Sequence, residues 1–320
     1  MSTPEPFHPD VRAARWFPRA GVSRRTLRLF RRPPRPRAST ADVDVSSLPV
    51  PTTGGELPYR VYQPRAAGGT GPAFFWIHGG GLVMGSPQQD DNFLIGLAQR
   101  LGIVVFAASY RLAPEHPAPA ALDDLYDGWH EIRGRAAEWG VEPDRIAIGG
   151  GSAGGGLAAA LTQRLHDDGT AEPVFQLLVY PMLDDRTVLR TDIDTRQVRI
   201  WPPSSNRFGW ESYLGTPAGS PNVPRYSVPA RREDLTGLPP AWIGVGTLDL
   251  FHDEDLAYAE RLREAGVATE VLEIPGVFHG FDAVFRNAGV TAQFHSTAAE
   301  ALRKALEPSA APHERRQTTE

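Results

Sequence analysis

The chain has 320 residues, of which 41% are hydrophobic and 22% are charged, and its net charge at pH 7 is −5. This composition is that of an ordinary globular protein. The length allows one large α/β domain with an insertion or two small domains. The lack of cysteine excludes disulfides and thiolate chemistry, and the single lysine, Lys304, argues against a P-loop or a Schiff-base lysine. No run approaches 18 consecutive apolar residues and no histidines and carboxylates have metal-ligand spacing, so we expect neither a membrane span nor a metal or other cofactor.

The first 45 residues differ from the rest of the chain in charge. The first forty contain ten arginines against only Glu5 and Asp10, so they carry a net charge of +8 and the remainder carries −13. Such a basic segment can bind nucleic acid or an anionic surface, but a solvated helix pair that covers an acidic body is more common. We therefore predict a separate basic segment over residues 1–45 and expect no nucleic-acid partner.

Within this segment, Ser23-Arg24-Arg25-Thr26-Leu27 resembles a twin-arginine export signal. The residues that follow, from Phe30 to Arg35, lack the apolar region that such signals require. Export is therefore not expected, and a cytoplasmic location is predicted.

From about Leu57 onward, short apolar runs alternate with helical patterns. The predicted strands are 59–62, 73–78, 103–109, the apolar run after Arg145, 175–180, 241–245 and 270–274. The predicted helices are 92–100, 120–139, the Ala/Leu-rich run after the glycine cluster at 149–156, 253–265 and 298–306. This alternation predicts an α/β protein whose mostly parallel sheet has helices on both faces, with ligands bound at the carboxyl ends of the strands.

The alternation fails between about residues 184 and 240. Trp201, Phe208, Trp210 and Tyr213 occur there among prolines, asparagines and glycines. We predict an insertion that packs over the sheet within a domain spanning 46–308, followed by a disordered tail at 309–320. Whether the aromatic residues form their own small core or also line a binding surface stays open.

The glycine cluster at 149–156 follows a predicted buried strand and precedes a helix. Gly150-x-Ser152-x-Gly154 has the spacing of a nucleophile elbow, in which a strained turn exposes the serine oxygen above the sheet. The overlapping Gly149-x-Gly151-x-x-Gly154 matches a dinucleotide-binding fingerprint in the same context. A tight turn without chemistry is the third alternative, and these residues alone leave all three open.

A second glycine loop, His78-Gly79-Gly80-Gly81, follows the strand predicted at 73–78. Consecutive glycines offer backbone N–H groups that no side chain shields. A tetrahedral oxyanion needs such donors, together with the amide of the residue after the nucleophile, here Ala153. A nucleotide loop has no use for this second loop, so its presence favours the elbow over a flexible turn.

A serine hydroxyl becomes a good nucleophile when a histidine takes its proton and an acid orients that histidine. Asp249 follows the strand predicted at 241–245, and His279 follows the one at 270–274, in the chain order that this chemistry uses. His252 and Asp253 are predicted to open a helix, in which Asp253 or Asp255 serves the N-terminal turn. The remaining candidate histidines are predicted to have surface or packing roles: His116, His130, His166 and His295.

Together with the run 110–117, Tyr-Arg-Leu-Ala-Pro-Glu-His-Pro, these motifs resemble the hormone-sensitive-lipase family of α/β-hydrolases over about residues 55–305. The resemblance implies an α/β-hydrolase fold, a helical cap built from the N-terminal segment and the insertion, and hydrolysis of carboxylic esters with short to medium acyl groups. It also implies the roles of the site residues: Ser152 as nucleophile, His279 as base and then acid, Asp249 as the orienting acid, Gly79, Gly80 and Ala153 as the oxyanion hole, with His78, Gly81, Gly150 and Gly154 shaping the two loops.

Two positions depart from the family pattern. Gly151 stands where relatives often have an acidic residue before the nucleophile, which predicts a looser elbow and an altered pH profile. Leu250 stands where a proline usually follows the acid, and little effect is expected.

Other functions stay open at this point. The expected partner is a small-molecule ester, and a homo-oligomer stays open. A non-catalytic small-molecule receptor on the same fold, an amidase and a thioesterase are the alternatives. A nucleotide-dependent oxidoreductase lacks a suitable acid, because Asp167 and Asp168 precede the next strand rather than end it.

Overall fold

The computed structural model describes residues 6–17, 19, 21–66 and 68–308. The tail predicted to be disordered, 309–320, lies outside these residues. Eight strands form one sheet: β1 (Val43–Thr52), β2 (Gly55–Pro64), β3 (Gly71–Ile77), β4 (Val104–Ala108), β5 (Val141–Gly151), β6 (Gln176–Val179), β7 (Ala241–Gly246) and β8 (Thr269–Ile274). Their order is β1-β2-β4-β3-β5-β6-β7-β8. Strand β2 runs antiparallel to both β1 and β4, and all later neighbours in this order are parallel.

Helices lie on both faces of this sheet. The α-helices of the described residues are α1 (Leu27–Phe30), α2 (Asp91–Leu101), α3 (Ala120–Gly134), α4 (Ala153–Asp167), α5 (Pro203–Leu214), α6 (His252–Glu264), α7 (Phe281–Val284) and α8 (Gly289–Ala305). Helices α2 and α8 pack on one face of the sheet, and α3, α4 and α6 on the other. Side chains alternate along each strand, so Phe75 of β3 packs with α3 and α4, whereas Phe74 packs with α2 and α8. The sequence prediction of a mostly parallel sheet covered on both faces is confirmed.

The edge strand β1 was absent from the sequence prediction, which started the strands at about Leu57. Pro49 and Pro51 lie within β1 and make its sequence unlike a strand. Proline is tolerated in an edge strand, because the N–H that it lacks would otherwise face away from the sheet. The whole of β1 pairs with β2 from Val43 opposite Pro64 to Thr52 opposite Gly55.

Three helix predictions need correction. The helix predicted for 120–139 ends at Gly134 and continues only as a 3-10 turn, Ala136–Trp139. The final helix starts at Gly289 rather than 298, since its first two turns carry polar residues that masked the helical period. The helix pair predicted near the N-terminus is instead a 3-10 helix, Pro9–Trp16, followed by the single turn α1.

The N-terminal segment is fastened to residues that surround the carboxyl ends of the strands. The Arg31 guanidinium donates to the carbonyls of Val83 and Ala113 and pairs with both oxygens of Glu115. The backbone N–H of Val22 donates to Ser205 Oγ at 2.8 Å, which ties the segment to α5. These contacts place residues 21–31 over the same end of the sheet as α5.

The segment 184–240 contains α5 and the 3-10 turns Asp185–Leu189 and Pro229–Arg231. Glu254 of α6 fastens its start, because this carboxyl accepts hydrogen bonds from the N–H groups of Leu183 and Asp184 and from the hydroxyl of Thr187. Burial is the main cause that raises the pKa of Glu254 to about 8, although those three donors act against it.

Candidate active site

The turn between β5 and α4 holds Ser152 in an unusual backbone conformation. Its φ and ψ are 57° and −123°, a region that residues other than glycine rarely adopt. The Ser152 N–H donates to the Val179 carbonyl at 2.8 Å, and helix α4 begins at the next residue, Ala153. The turn therefore lifts the serine side chain above the end of β5, at the N-terminus of α4.

The two glycines before Ser152 differ in the space around them. A Cβ on Gly150 would lie 2.3 Å from backbone atoms of Gly154, whereas one on Gly151 would have Trp76 as its nearest neighbour at 3.6 Å. We expect Gly150→Ala to destabilise the fold by roughly 1–3 kcal/mol through overpacking. We expect Gly151→Ala to change stability by less than about 1 kcal/mol. Urea unfolding of both variants measures this difference, and equal losses would contradict the geometry.

The structure brings the three residues predicted for acyl transfer into one hydrogen-bonded chain. His279 Nε2 lies 2.8 Å from Ser152 Oγ, and His279 Nδ1 lies 2.8 Å from Asp249 Oδ2. The exposed fractions of Ser152, Asp249 and His279 are 8%, 4% and 5%, so water competes little for these bonds. The other Asp249 oxygen, Oδ1, accepts from the Phe251 N–H at 2.9 Å, which fixes the carboxylate plane.

Two aromatic rings hold the His279 imidazole in place. Tyr180 lies edge-on to it with ring centroids 4.8 Å apart, and Phe251 does the same from 5.0 Å. Because the ring is packed and hydrogen-bonded at both nitrogens, the structure leaves it little freedom to rotate away from Ser152.

The second glycine loop presents its backbone N–H groups beside Ser152. A Cβ on Gly79 would lie 3.3 Å from the Cβ of Ser152, so no larger side chain fits between them. His78 Nδ1 donates to the Gly79 carbonyl at 2.8 Å. Because the C=O and N–H of a trans peptide point in opposite directions, the Gly80 N–H points away from the His78 ring. Within the described part of the chain, the N–H groups of Gly79, Gly80 and Ala153 have no hydrogen-bond acceptor.

His78 supports this loop from beneath. Its ring stacks on Tyr110 at 4.3 Å between centroids, and the Tyr110 hydroxyl donates to the His78 carbonyl at 2.9 Å. Burial lowers the pKa of His78 to about 4, so the ring is neutral at pH 7. These contacts make His78 a structural support of the loop.

Ser152 and His279 open onto a cavity of about 800 Å³. Gly151 lies on its wall, and the cavity reaches apolar side chains, of which the sequence analysis had raised only Trp201 as a possible lining residue. These are Phe30, Trp76, Met84, Phe93, Ile200, Trp201, Val284 and Phe294. The cavity therefore has room and an apolar lining for an organic group larger than acetate.

A polar patch on the cavity wall was also missed from the sequence. Asp90 Oδ2 accepts from Trp76 Nε1 at 2.7 Å, and burial raises the pKa of Asp90 to about 7. Asp282 accepts from the Tyr180 hydroxyl at 2.8 Å and is paired with His295 Nε2 at 3.0 Å. Burial acts to raise the pKa of Asp282, but His295 and Tyr180 keep it below its usual value.

His295 therefore needs reassignment, since it lines the cavity rather than having only a surface or packing role. No sequence pattern indicated this, because α8 was predicted to begin three residues after His295. Of the two alternatives predicted for the first turn of α6, Asp253 or Asp255, Asp255 does not serve that turn. It is fully buried in α6, and both carboxyl oxygens lack a hydrogen-bond partner among the described residues.

Asp255 supplies a test of stability against pH. Burial, and then the charges of Glu254 and Asp249, raise the pKa of Asp255 well above 3.8, so the folded chain keeps a proton that the unfolded chain loses. Stability is therefore lost as the pH rises above about 4, by up to about 1.4 kcal/mol per pH unit. We expect Asp255→Asn to have a higher free energy of unfolding than the unsubstituted protein at pH 8, and this advantage to be much smaller at pH 5. Urea unfolding at both pH values measures it. An equal difference at both values would contradict this assignment.

Within the described residues, no helix is long and apolar enough to cross a membrane. Over the same residues, no group of three or more histidine and carboxylate side chains has the geometry to hold a metal ion.

Comparison with known proteins gives a consistent family. Residues 74–283 match the α/β-hydrolase fold family. The carboxylic ester hydrolase LipN of Mycobacterium tuberculosis is 37% identical over 82% of this chain and 71% of its own length. Ethyl acetate hydrolase of Pseudomonas putida is 34% identical over 74% of this chain and 75% of its own.

The solved structure of a bacterial heroin esterase superposes with a TM-score of 0.79 and is 35% identical, covering 84% of this chain and 86% of that one. The esterase LipW of Mycobacterium marinum superposes with a TM-score of 0.75 at 35% identity, covering 83% of both chains. The sheet order, the elbow turn and these likenesses agree, and the chain belongs to the hormone-sensitive-lipase-like, carboxylesterase-type family of α/β-hydrolase enzymes.

Proposed function

We propose that the protein hydrolyses carboxylic esters of short to medium acyl groups through an acyl-enzyme formed on Ser152. The observation that carries this proposal is the buried hydrogen-bonded chain from Asp249 through His279 to Ser152 Oγ, which ends at the cavity. The uncommitted N–H groups of Gly79, Gly80 and Ala153 beside the serine support it further.

In the first half-reaction, Ser152 Oγ attacks the ester carbonyl carbon while His279 Nε2 takes the hydroxyl proton. The carbonyl oxygen becomes an anion and accepts from the N–H groups of Gly79, Gly80 and Ala153. The tetrahedral intermediate then breaks its bond to the alcohol oxygen, which receives the proton from His279. The acyl group stays on Ser152 as an ester.

Water then attacks the acyl-enzyme, and His279 and the oxyanion-binding N–H groups act as they did in the first half-reaction. His279 removes a proton from water, the hydroxide oxygen attacks the acyl carbon, and the same N–H groups bind the new oxyanion. The intermediate expels Ser152 Oγ, which recovers its proton from His279, and the carboxylic acid leaves.

Asp249 acts by holding His279. One of its oxygens binds Nδ1, so Nε2 faces Ser152 without a proton in the resting state. The negative charge also stabilises the imidazolium that forms after each proton transfer. The Phe251 N–H on the other oxygen keeps the carboxylate oriented for this role.

The size and lining of the cavity support the substrate range. A volume of about 800 Å³ accommodates an acyl chain of several carbons together with an alcohol group. The likeness to an ethyl acetate hydrolase is consistent with a short acyl group.

A panel of p-nitrophenyl esters from acetate to palmitate tests this function. We expect kcat/KM to be highest between acetate and octanoate and to fall for palmitate, because a cavity of about 800 Å³ holds a limited chain length. The matching p-nitroanilides and thioesters measure the amidase and thioesterase alternatives. Failure to hydrolyse any ester would contradict the proposal, and saturable ester binding without turnover would favour the receptor alternative.

A further inference from the structure

The entrance of the cavity is bordered by exposed apolar side chains. Among the described residues, six large hydrophobic side chains are exposed: Trp16, Leu29, Phe30, Leu189, Ile200 and Val284. Three of them line the cavity that holds Ser152, namely Phe30, Ile200 and Val284, and we call these three the entrance rim. Phe30 belongs to the N-terminal segment, Ile200 precedes α5, and Val284 lies in α7. Separate parts of the chain therefore place apolar groups at one opening.

The backbone at Ile200 shows that this exposure is built into the fold. Ile200 has φ of 66°, a left-handed conformation that a β-branched residue rarely adopts. Its neighbours hold it there, since the buried Arg199 donates to the Ala14 and Val198 carbonyls and the buried Trp201 packs over Gly81. The strained residue carries its apolar side chain to the cavity entrance, near Gly280. Strain of this kind is commonly kept for function.

Several arginines close to Phe30 in the chain are exposed, and among the described residues they make no contact that fastens the fold. Arg24, Arg25, Arg28, Arg32 and Arg35, which we call the arginine face, are all exposed. Within the described part of the chain, none of the five has an ion pair or a side-chain hydrogen bond, in contrast to Arg31 in their midst, which binds Glu115. The rest of the chain carries a net charge of −13, yet its carboxylates do not neutralise this face.

The apolar and cationic groups alternate on one short stretch. Leu29 is 71% exposed and Phe30 is 49% exposed, and they stand between Arg28 and Arg32. Apolar side chains that project from a cationic surface are typical of proteins that lie on an anionic lipid–water interface. Nucleic acid would use the charges but would leave the aliphatic Leu29 and Val284 in water, so the pattern favours lipid.

We propose that the arginine face and the entrance rim dock the protein onto an anionic lipid surface, with the cavity entrance directed toward the lipid. The arginines bind the lipid phosphates, and Leu29 and the rim enter the boundary between headgroups and acyl chains. If the proposed ester hydrolysis holds, lipophilic esters dissolved in that lipid are the substrate class, and they reach Ser152 without crossing bulk water.

The test is co-sedimentation of the full chain with vesicles of equimolar phosphatidylglycerol and phosphatidylcholine, or of phosphatidylcholine alone. We expect binding to the anionic vesicles that weakens as salt increases. Each arginine near an anionic surface adds roughly fivefold in partitioning, so the triple variant Arg24→Gln, Arg25→Gln, Arg28→Gln should bind about 100-fold more weakly. Leu29→Ser should weaken binding by about tenfold.

Matched controls separate docking from net charge and from hydrolysis. A triple glutamine variant of the exposed Arg225, Arg263 and Arg303 has the same net charge, and Leu189→Ser removes an exposed leucine elsewhere; both should bind like the unsubstituted protein. Hydrolysis of water-soluble p-nitrophenyl acetate should be unchanged in the triple variant of the arginine face. If the unsubstituted protein does not hydrolyse this ester, the proposed function is contradicted, whereas the sedimentation result does not depend on activity.

Two outcomes would overturn the proposal. One is the absence of binding to the anionic vesicles at low salt. The other is equal weakening by the two triple variants or by the two leucine variants, which would show general charge attraction only. Binding of a single-stranded oligonucleotide that depends on the arginine face but not on Leu29 would assign the surface to nucleic acid instead.

Discussion

Replacing Ser152 with alanine is expected to lower kcat for p-nitrophenyl butyrate by about 10⁶-fold, because it removes the hydroxyl that is hydrogen-bonded to His279 Nε2. The substitution removes one oxygen atom at a site that is 8% exposed, and the Ser152 N–H keeps its bond to Val179. Folding should therefore be unaffected. The measurement is steady-state hydrolysis by purified protein, with circular dichroism as the check on folding.

Ser152→Gly is the matched control for this prediction. It removes the same hydroxyl but also the Cβ that makes a φ of 57° costly. We expect the same loss of hydrolysis together with a gain in the free energy of unfolding of roughly 1–3 kcal/mol over Ser152→Ala. Residual hydrolysis above about 1% in either variant would mean that another nucleophile carries the reaction.

Replacing Asp249 with asparagine is expected to lower kcat by about 10⁴-fold. An asparagine still accepts from the Phe251 N–H, so the loop should keep its conformation. Its amide would, however, donate to His279 Nδ1 and place the imidazole proton on Nε2, which then cannot accept the proton of Ser152. The imidazolium would also lose its counter-charge.

Asp253→Asn is the control for the Asp249 variant, because this carboxylate is exposed and pairs with His252 and Arg190 away from the serine. We expect its activity to stay within about twofold of the unsubstituted protein. The pH dependence of kcat/KM in both variants should be measured as well. A small loss in Asp249→Asn would show that another acid orients His279.

The elbow, the second glycine loop and the order of Ser152, Asp249 and His279 could be read from the sequence for a physical reason. Each is a short local pattern at the end of a strand, and the parallel sheet brings strand ends together. The structure places His279 within hydrogen-bond distance of both Asp249 and Ser152, as that reasoning requires. Their roles in turnover remain for the variants to test.

The polar wall of the cavity could not be predicted in the same way. Asp90 precedes α2, Asp282 lies in α7 and His295 lies in α8, and no local motif links them. Only the tertiary packing brings Asp282 to both Tyr180 and His295. A carboxylate in the first turn of a helix is usually a favourable partner of the helix dipole, but Asp255 lies on the buried side of α6, whereas Asp253 in the same turn is exposed.

The structure also changes the interpretation of Gly151. The sequence predicts that the missing acidic side chain loosens the elbow. In the fold, this residue faces a gap between Trp76 and Tyr180, and the partly buried Asp90 accepts a hydrogen bond from Nε1 of that Trp76. A carboxylate therefore remains near the site, but it is supplied by another element of the chain.

The most direct test of the central claim is covalent labelling with a fluorophosphonate, followed by mass spectrometry of the peptides. The account predicts one adduct per chain, located on Ser152, that forms in step with the loss of esterase activity and is absent in Ser152→Ala. Inactivation without an adduct on Ser152, or an adduct on another serine that accounts for the lost activity, would contradict it.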